Sequence, residues 1–179
     1  MKKTARWVVS TLALAALIHL VTIAIMPHFL MARAMAKLAS GTGYNVLTHP
    51  DRADASDRDI VRPSPDLAYS VCVFDVSHQP LRITAPVRRG YMSLSLFADN
   101  TDNFFVVNDQ QVAGGRIDIV LEGPGSPKSD VSDGAQVVRA PSNKGVILFR
   151  RVIPGDEEYA RIDVARREAR CVPVTLSMQ

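Results

Sequence analysis

Twenty consecutive residues, Trp7 to Met26, carry no charge and only four polar side chains, Ser10, Thr11, His19 and Thr22. At about 1.5 Å of rise per residue, a helix of that length reaches across the ~30 Å hydrocarbon layer of a bilayer. The stretch therefore predicts a transmembrane helix whose partner is lipid. Lys2, Lys3 and Arg6 precede it and only Arg33 and Lys37 follow closely, a balance that places the N-terminus in the cytoplasm and the remainder outside. A cleaved signal peptide is the competing reading, with an apolar core of about 7 to 15 residues and a small-x-small site. The run here is longer, and Ala32-Arg33-Ala34 sets a charge inside the cleavage signal, so an uncleaved anchor is expected.

Charge divides the chain in the same place. All 18 acidic residues lie after residue 50, whereas the first 43 residues hold five basic residues and no acid. The remaining 16 basic residues face 18 acidic ones, so the soluble part carries about −2 and the basic character belongs to the N-terminus. That distribution argues against a nucleic-acid-binding face. Of the 179 residues, those left after the anchor suffice for one domain with a buried core.

Three parts follow: a cytoplasmic tip and anchor over 1–26, a juxtamembrane helix and linker over 27–61, and a β-rich domain over 62–179. Pro27 marks the membrane exit. Beyond it Phe29, Leu30, Met31, Met35 and Leu38 alternate with Arg33 and Lys37 at spacings that suit either a short interfacial helix or a continuation of the first helix kinked at Pro27. Residues 40–64 then read as linker, with Gly41, Gly43, Pro50 and Pro63 and a charge-alternating run from Asp51 to Asp59.

From Tyr69 to Val76 both alternating sets of side chains are largely apolar, which predicts a central strand buried on two faces. Ser77-His78-Gln79-Pro80 supplies a turn, and Leu81, Ile83 and Ala85 alternate with Arg82 and Thr84, so a hairpin is expected. Met92, Leu94 and Leu96 share one face of the next strand. Asp99 to Asn103 is turn chemistry, Phe104 to Val107 a further strand, and Ile117, Ile119 and Leu121 alternate after Gly114-Gly115. Residues 122–130 read as a surface loop. Gln136 to Ala140 and Gly145 to Ile153 read as a second hairpin across Pro141 to Lys144. Short strands at this spacing predict an antiparallel β sandwich or sheet.

One soluble helix is predicted, from Asp156 to about Ala169. Asp156, Glu157 and Glu158 open it, and Arg166, Arg167 and Arg170 close it, as the helix dipole favours. Ile162, Ala165 and Ala169 form a narrow apolar stripe, so the helix should rest on the sheet with one face wet; its arginines could also bind an anion or lipid headgroups. A last strand runs from Cys171 to Leu176. Cys72 and Cys171 could pair in an oxidising compartment, closing a loop of about 100 residues, or remain two buried thiols.

The run Arg62-Pro63-Ser64-Pro65-Asp66-Leu67-Ala68-Tyr69, the strand through Asp75, the turn into Pro80-Leu81 and the Tyr91 strand leading to Asn103-Phe104-Phe105 resemble the bacterial domain of unknown function 1254 family. The resemblance covers Arg62 to Asp109. The family's motif runs Arg-Pro-Asn-x-Asp-Thr-x-Tyr; this chain matches it at Arg62, Pro63, Asp66 and Tyr69 and departs from it at Ser64 and Leu67. Larger members of that family resemble two β-rich halves, the second a domain of unknown function numbered 1214. The resemblance thus implies either a truncated stand-alone half or a subunit that pairs with a companion β domain, and the exposed surface of an unpaired half favours the second.

Chemistry is sparse. Gly-x-Ser-x-Gly, P-loop, dinucleotide and His-Glu-x-x-His patterns are absent, and no cofactor or metal is expected. His49 and His78 read as solitary loop residues. Asp99, Asp102 and Asp109 could gather at one sheet end, but the spacing lacks the Gly and Glu of a calcium loop. If the resemblance marks a ligand pocket, Asp66, Tyr69, Asp75 and Asp99 are its candidates; otherwise Asp66 caps its turn and Tyr69 packs in the core. The expectation is a single-pass bacterial inner-membrane protein with a periplasmic domain. It is read as a non-catalytic interaction subunit, with a small-ligand-binding protein or enzyme as the alternative.

Overall fold

The computed structural model describes residues 2–58, 62–88, 90–126 and 134–174. It contains two sheets and two α-helices. The first helix, α1, runs unbroken from Lys2 to Leu38 with Pro27 inside it. Of the two readings of the juxtamembrane segment, the continuous helix is therefore the one found. Proline in a helix interior costs about 3 kcal/mol, which packing of the helix beyond it against the domain can offset. Residues 2–26 bury no side chain in the protein, so their apolar surface is free for lipid, while Met31 and Met35 are buried against strands of the domain. One face of the segment read as interfacial thus rests on protein, while Phe29 and Leu30 stay exposed.

The strands are β1 (Leu47–Thr48), β2 (Leu67–Asp75), β3 (Leu81–Pro86), β4 (Met92–Ala98), β5 (Asn103–Asn108), β6 (Arg116–Glu122), β7 (Gln136–Arg139), β8 (Lys144–Val152) and β9 (Arg170–Pro173). One sheet has the order β1-β2-β8-β4-β5 and the other β7-β6-β3-β9. Every ladder is antiparallel except β6–β7, which is parallel. Part of the last predicted strand, residues 175–176, lies outside the described residues, as do Asp59 of the linker and residues 127–130 of the predicted surface loop.

Both predicted hairpins are corrected. β2 and β3 belong to different sheets, as do β7 and β8, so each short turn carries the chain across the core instead of folding it back. The physical reason lies in the outward faces. β3 points Arg82 outward, where it pairs with Asp118 of β6 through two hydrogen bonds of 2.8 and 2.7 Å, whereas β2 is apolar on both sides and needs cover on both. The two crossings meet, with Val76 N–H donating to the Asn143 carbonyl at 2.9 Å. β2 is interior, but β8 holds the middle of its sheet, flanked by β2 and β4. Like β2, it is apolar to both sides, with Ile147 and Phe149 inward and Val146 and Leu148 outward.

The inner faces of the two sheets share one core, including Phe74, Leu94, Leu96 and Ile147 from one side and Leu81, Ile83, Ile119 and Leu121 from the other. Gly145 admits the tightest approach: a Cβ there would lie 2.1 Å from the Phe97 carbonyl oxygen and 2.6 Å from the Phe74 ring. A disulfide joins Cys72 of β2 to Cys171 of β9, and so links the two sheets covalently.

The second helix, α2, spans Asp156–Arg166, ending three residues before the predicted Ala169. Ala169 of the predicted apolar stripe is buried in the core, and Arg166, expected to complement the helix dipole, is itself only 2% exposed. Its guanidinium donates to the carbonyls of Pro50, at 2.7 Å, and Tyr69, and to the Asp163 carboxylate. The Tyr69 carbonyl lies on β2 past the end of two-residue β1 and that of Pro50 in the loop that follows β1, where among the described residues no strand continues the pairing. An arginine fork serves where a β-strand neighbour is missing.

Candidate functional site

The antiparallel ladders define two ends of the domain. At one end lie Asp75, the β4–β5 turn and the start of β8, beside His28 of α1; at the other lie the start of β2, the start of β4 and the end of β8. The four acidic and aromatic candidates are split between them. Asp66 and Tyr69 sit at the far end, Asp75 and Asp99 at the α1 end, so no single pocket holds all four.

Each of the four has a local structural job. Ser64 Oγ accepts the Asp66 N–H at 3.2 Å, and the Tyr69 hydroxyl accepts the Ser64 N–H at 2.9 Å. Ser64 thereby forms the hydroxyl version of the turn that an Asn would form at this place in the motif. The Asp66 carbonyl accepts Ile153 N–H at 2.8 Å. Partial burial works against ionisation of Asp75, but hydrogen bonds from the Ser77 hydroxyl and N–H and from Lys144 hold its carboxyl below the usual range. The Asp99 N–H donates to Ser142 Oγ at 3.1 Å, and its carboxylate lies 3.8 Å from His28 Nε2.

Asp99, Asp102 and Asp109 do not gather at one sheet end. Asp102 shares the β4–β5 turn with Asp99, but Asp109 is at the opposite end, where its carboxylate accepts the Met92 N–H at 3.3 Å. Among the described residues no group of three or more His, Cys, Asp or Glu side chains could hold a metal ion. His78 is exposed, whereas His49 is half-buried with Nδ1 2.8 Å from Ser70 Oγ. Burial, followed by the nearby Arg166 and Arg167 charges, lowers its pKa.

A concave site exists elsewhere. At the end away from α1, a cavity of about 510 Å³ opens between α2, the β3–β4 connection and the end of β8. Among the described residues Arg88, Arg151 and Arg161 line it against Glu158 and Glu168, an excess of one positive charge. Its apolar wall includes Val152, Pro154, Ile162 and Ala165. Arg151 is 6% exposed, and its Nη2 donates to the Pro86 carbonyl at 2.5 Å. Among the described residues no carboxylate lies within ion-pair distance of it. Glu168 instead accepts from Arg88 at 2.7 Å. Burial, with the Arg88 charge adding to it, lowers the Arg151 pKa. A buried guanidinium without a counter-charge costs several kcal/mol.

Sequence reading passed over Arg151, and a signal was present. In the register of β8, Ile147, Phe149 and Arg151 point the same way, into the core, while Arg150 faces outward with Nη2 donating to Ser95 Oγ at 2.9 Å. A charged residue at an inward position of an otherwise apolar strand marks a site that apolar packing alone does not explain.

Comparisons bear on the fold. The family model described as protein of unknown function (DUF1254) matches residues 44–173. The VPA0106 protein from Vibrio parahaemolyticus superposes with a TM-score of 0.60 at 11% identity, over 86% of this chain and 41% of that one. An uncharacterized protein from Burkholderia cenocepacia matches with a TM-score of 0.46 at 15% identity, over 84% of this chain and 41% of its own. This chain thus spans about two fifths of the length of both solved structures. No curated protein matches it in sequence.

Proposed function

The chain belongs to the protein of unknown function (DUF1254) family, and from that premise we propose that it is a membrane-anchored, non-catalytic β-sandwich subunit that docks a companion β domain of the 1214 type. The observation that carries this reading is the coverage: the fold fills 86% of this chain but 41% of the larger solved chain, in which the same unit is accompanied by further polypeptide. α1 holds the subunit in the bacterial inner membrane, with Lys2, Lys3 and Arg6 in the cytoplasm and the sheets in the periplasm. The Cys72–Cys171 disulfide supports that side, since disulfides persist in an oxidising compartment.

The docking surface is the β5 edge. Asn103–Asn108 reads Asn-Phe-Phe-Val-Val-Asn, with no charge and no proline, and it ends its sheet. Val106 is 51% exposed on it. An uncharged edge invites another strand, and a soluble protein ordinarily guards such an edge. Docking there covers Val106 and continues the five-stranded sheet.

A photo-crosslinking residue at position 106 of the full-length protein, expressed in its native cells, tests this. The expected product is one discrete adduct with a membrane-anchored companion carrying the 1214-type domain. A self-adduct, or a monomer without adduct in mild detergent, overturns the reading.

A further inference from the structure

We propose that the cavity beneath α2 binds a small amphipathic monocarboxylate, with Arg151 as the fixed counter-charge and the α2 wall receiving the apolar body. The argument is independent of the docking reading, because the cavity and the β5 edge use different residues.

Three observations converge. First, Arg151 is held inside the end of the core, opposite Met92 in the ladder, and one hydrogen bond to the Pro86 carbonyl fixes its guanidinium while other donors of the fork stay available to the cavity. Second, the nearest acid among the described residues, Glu168, is engaged by Arg88 at the rim, so no described carboxylate reaches ion-pair distance of the deep cation. An anion entering the cavity supplies what the fold leaves out. Third, the volume of about 510 Å³ and the mixed lining suit a small molecule with one charged end, within the usual range for ligand sites of about 300–1,000 Å³.

The choice of a carboxylate follows from the charge count and the fork. An excess of one positive charge suits a monoanion better than a phosphate dianion. A carboxylate matches two parallel N–H groups of a guanidinium. Ile162, Val152 and Pro154 offer nothing to the remaining oxygens of a phosphate but can cover methylene groups.

The test uses the full-length protein in detergent micelles and isothermal titration calorimetry with acetate, butyrate, hexanoate and inorganic phosphate. Affinity should rise from acetate to hexanoate by up to about fourfold per buried methylene, with phosphate weaker than hexanoate. Arg151→Met should weaken hexanoate binding by more than about tenfold in the same micelles. Ala165→Phe fills the cavity without touching the charge and should do the same, which keeps the test decisive should Arg151→Met fail to fold. Binding of hexanoate that survives in the folded variants, or its absence from the parent protein, overturns the proposal. Phosphate binding tighter than hexanoate would overturn the carboxylate assignment.

Discussion

β2 faces two apolar seams, and they are built to different standards. Its inward side chains, Cys72 and Phe74, enter a core that holds 19 buried residues among those described, most of them from the two sheets; its outward ones, Val71 and Val73, meet Met31 and Met35 in a described seam of five with Val146. The inner seam is reinforced by a disulfide whose cysteines stand 99 residues apart. The outer seam is held by one end of one helix. Burial of one strand face thus specifies the fold, while burial of the other sets only how the anchor meets the domain.

That contrast can be broken experimentally, beginning where the effect should be largest. Replacing Cys72 and Cys171 with serine removes the crosslink between the sheets and should cost up to about 4.7 kcal/mol in the chain-entropy treatment of a loop near 100 residues. Chemical denaturation of the full-length protein in detergent measures it, and an unchanged midpoint would mean that the disulfide does not constrain the unfolded chain.

Leu94→Ala comes next. Leu94 is fully buried between the sheets, and the cavity left behind should cost about 2–5 kcal/mol. A loss under about 1 kcal/mol, within the range of surface substitutions, would show that the inner seam repacks freely.

The double substitution Met31→Ala and Met35→Ala acts on the outer seam. The denaturation midpoint should shift by less than about 1 kcal/mol because only a local element is released. Amide exchange should quicken in residues 28–38 and stay slow in β8. Equal loss of protection in both would merge the two seams into one cooperative unit.

The smallest effect is a pH dependence at His49. Its pKa is lowered in the fold, chiefly by burial and then by Arg166 and Arg167, so the unfolded chain binds the proton more readily. Its stabilising contribution is full above the unfolded value of about 6.5 and is lost as pH falls from there toward the folded value. His49→Gln should flatten the stability curve in that window, and an unaltered slope would assign the dependence to other groups.

Comparing the seams also shows what could be read in advance. The two-sided apolar pattern from Tyr69 to Val76 announced a strand covered twice, though not by what. The cover on the outer side is α1, whose Met31 and Met35 suited an interfacial helix or a continuation of the first helix, because methionines spaced four apart fit a membrane surface and a protein surface alike. The hairpins misled for a related reason. Ser77 to Pro80 and Pro141 to Lys144 are sound turns, but turn chemistry reports a reversal of direction and not whether the next strand joins the same sheet.

The candidate site was less legible. Asp66, Tyr69, Asp75 and Asp99 were singled out as polar residues near a recognisable motif, and the structure occupies them with turns, a strand start and a lysine partner. Arg151, which was passed over, and Arg166, read as complementing the helix dipole, are both buried.

By itself, the sequence determined the apolar span, the strand-rich domain with its alternating core positions and the acidic opening of α2, because each depends on neighbours within a few residues. Only the tertiary structure decided which strands share a sheet, where α1 comes to rest and which arginines turn inward. Those outcomes depend on distant partners: β1 ends before it can pair with all of β2, so Arg166 reaches the Tyr69 carbonyl, and the end of β8 meets α2 across a cavity, so Arg151 is buried with no described carboxylate at ion-pair distance.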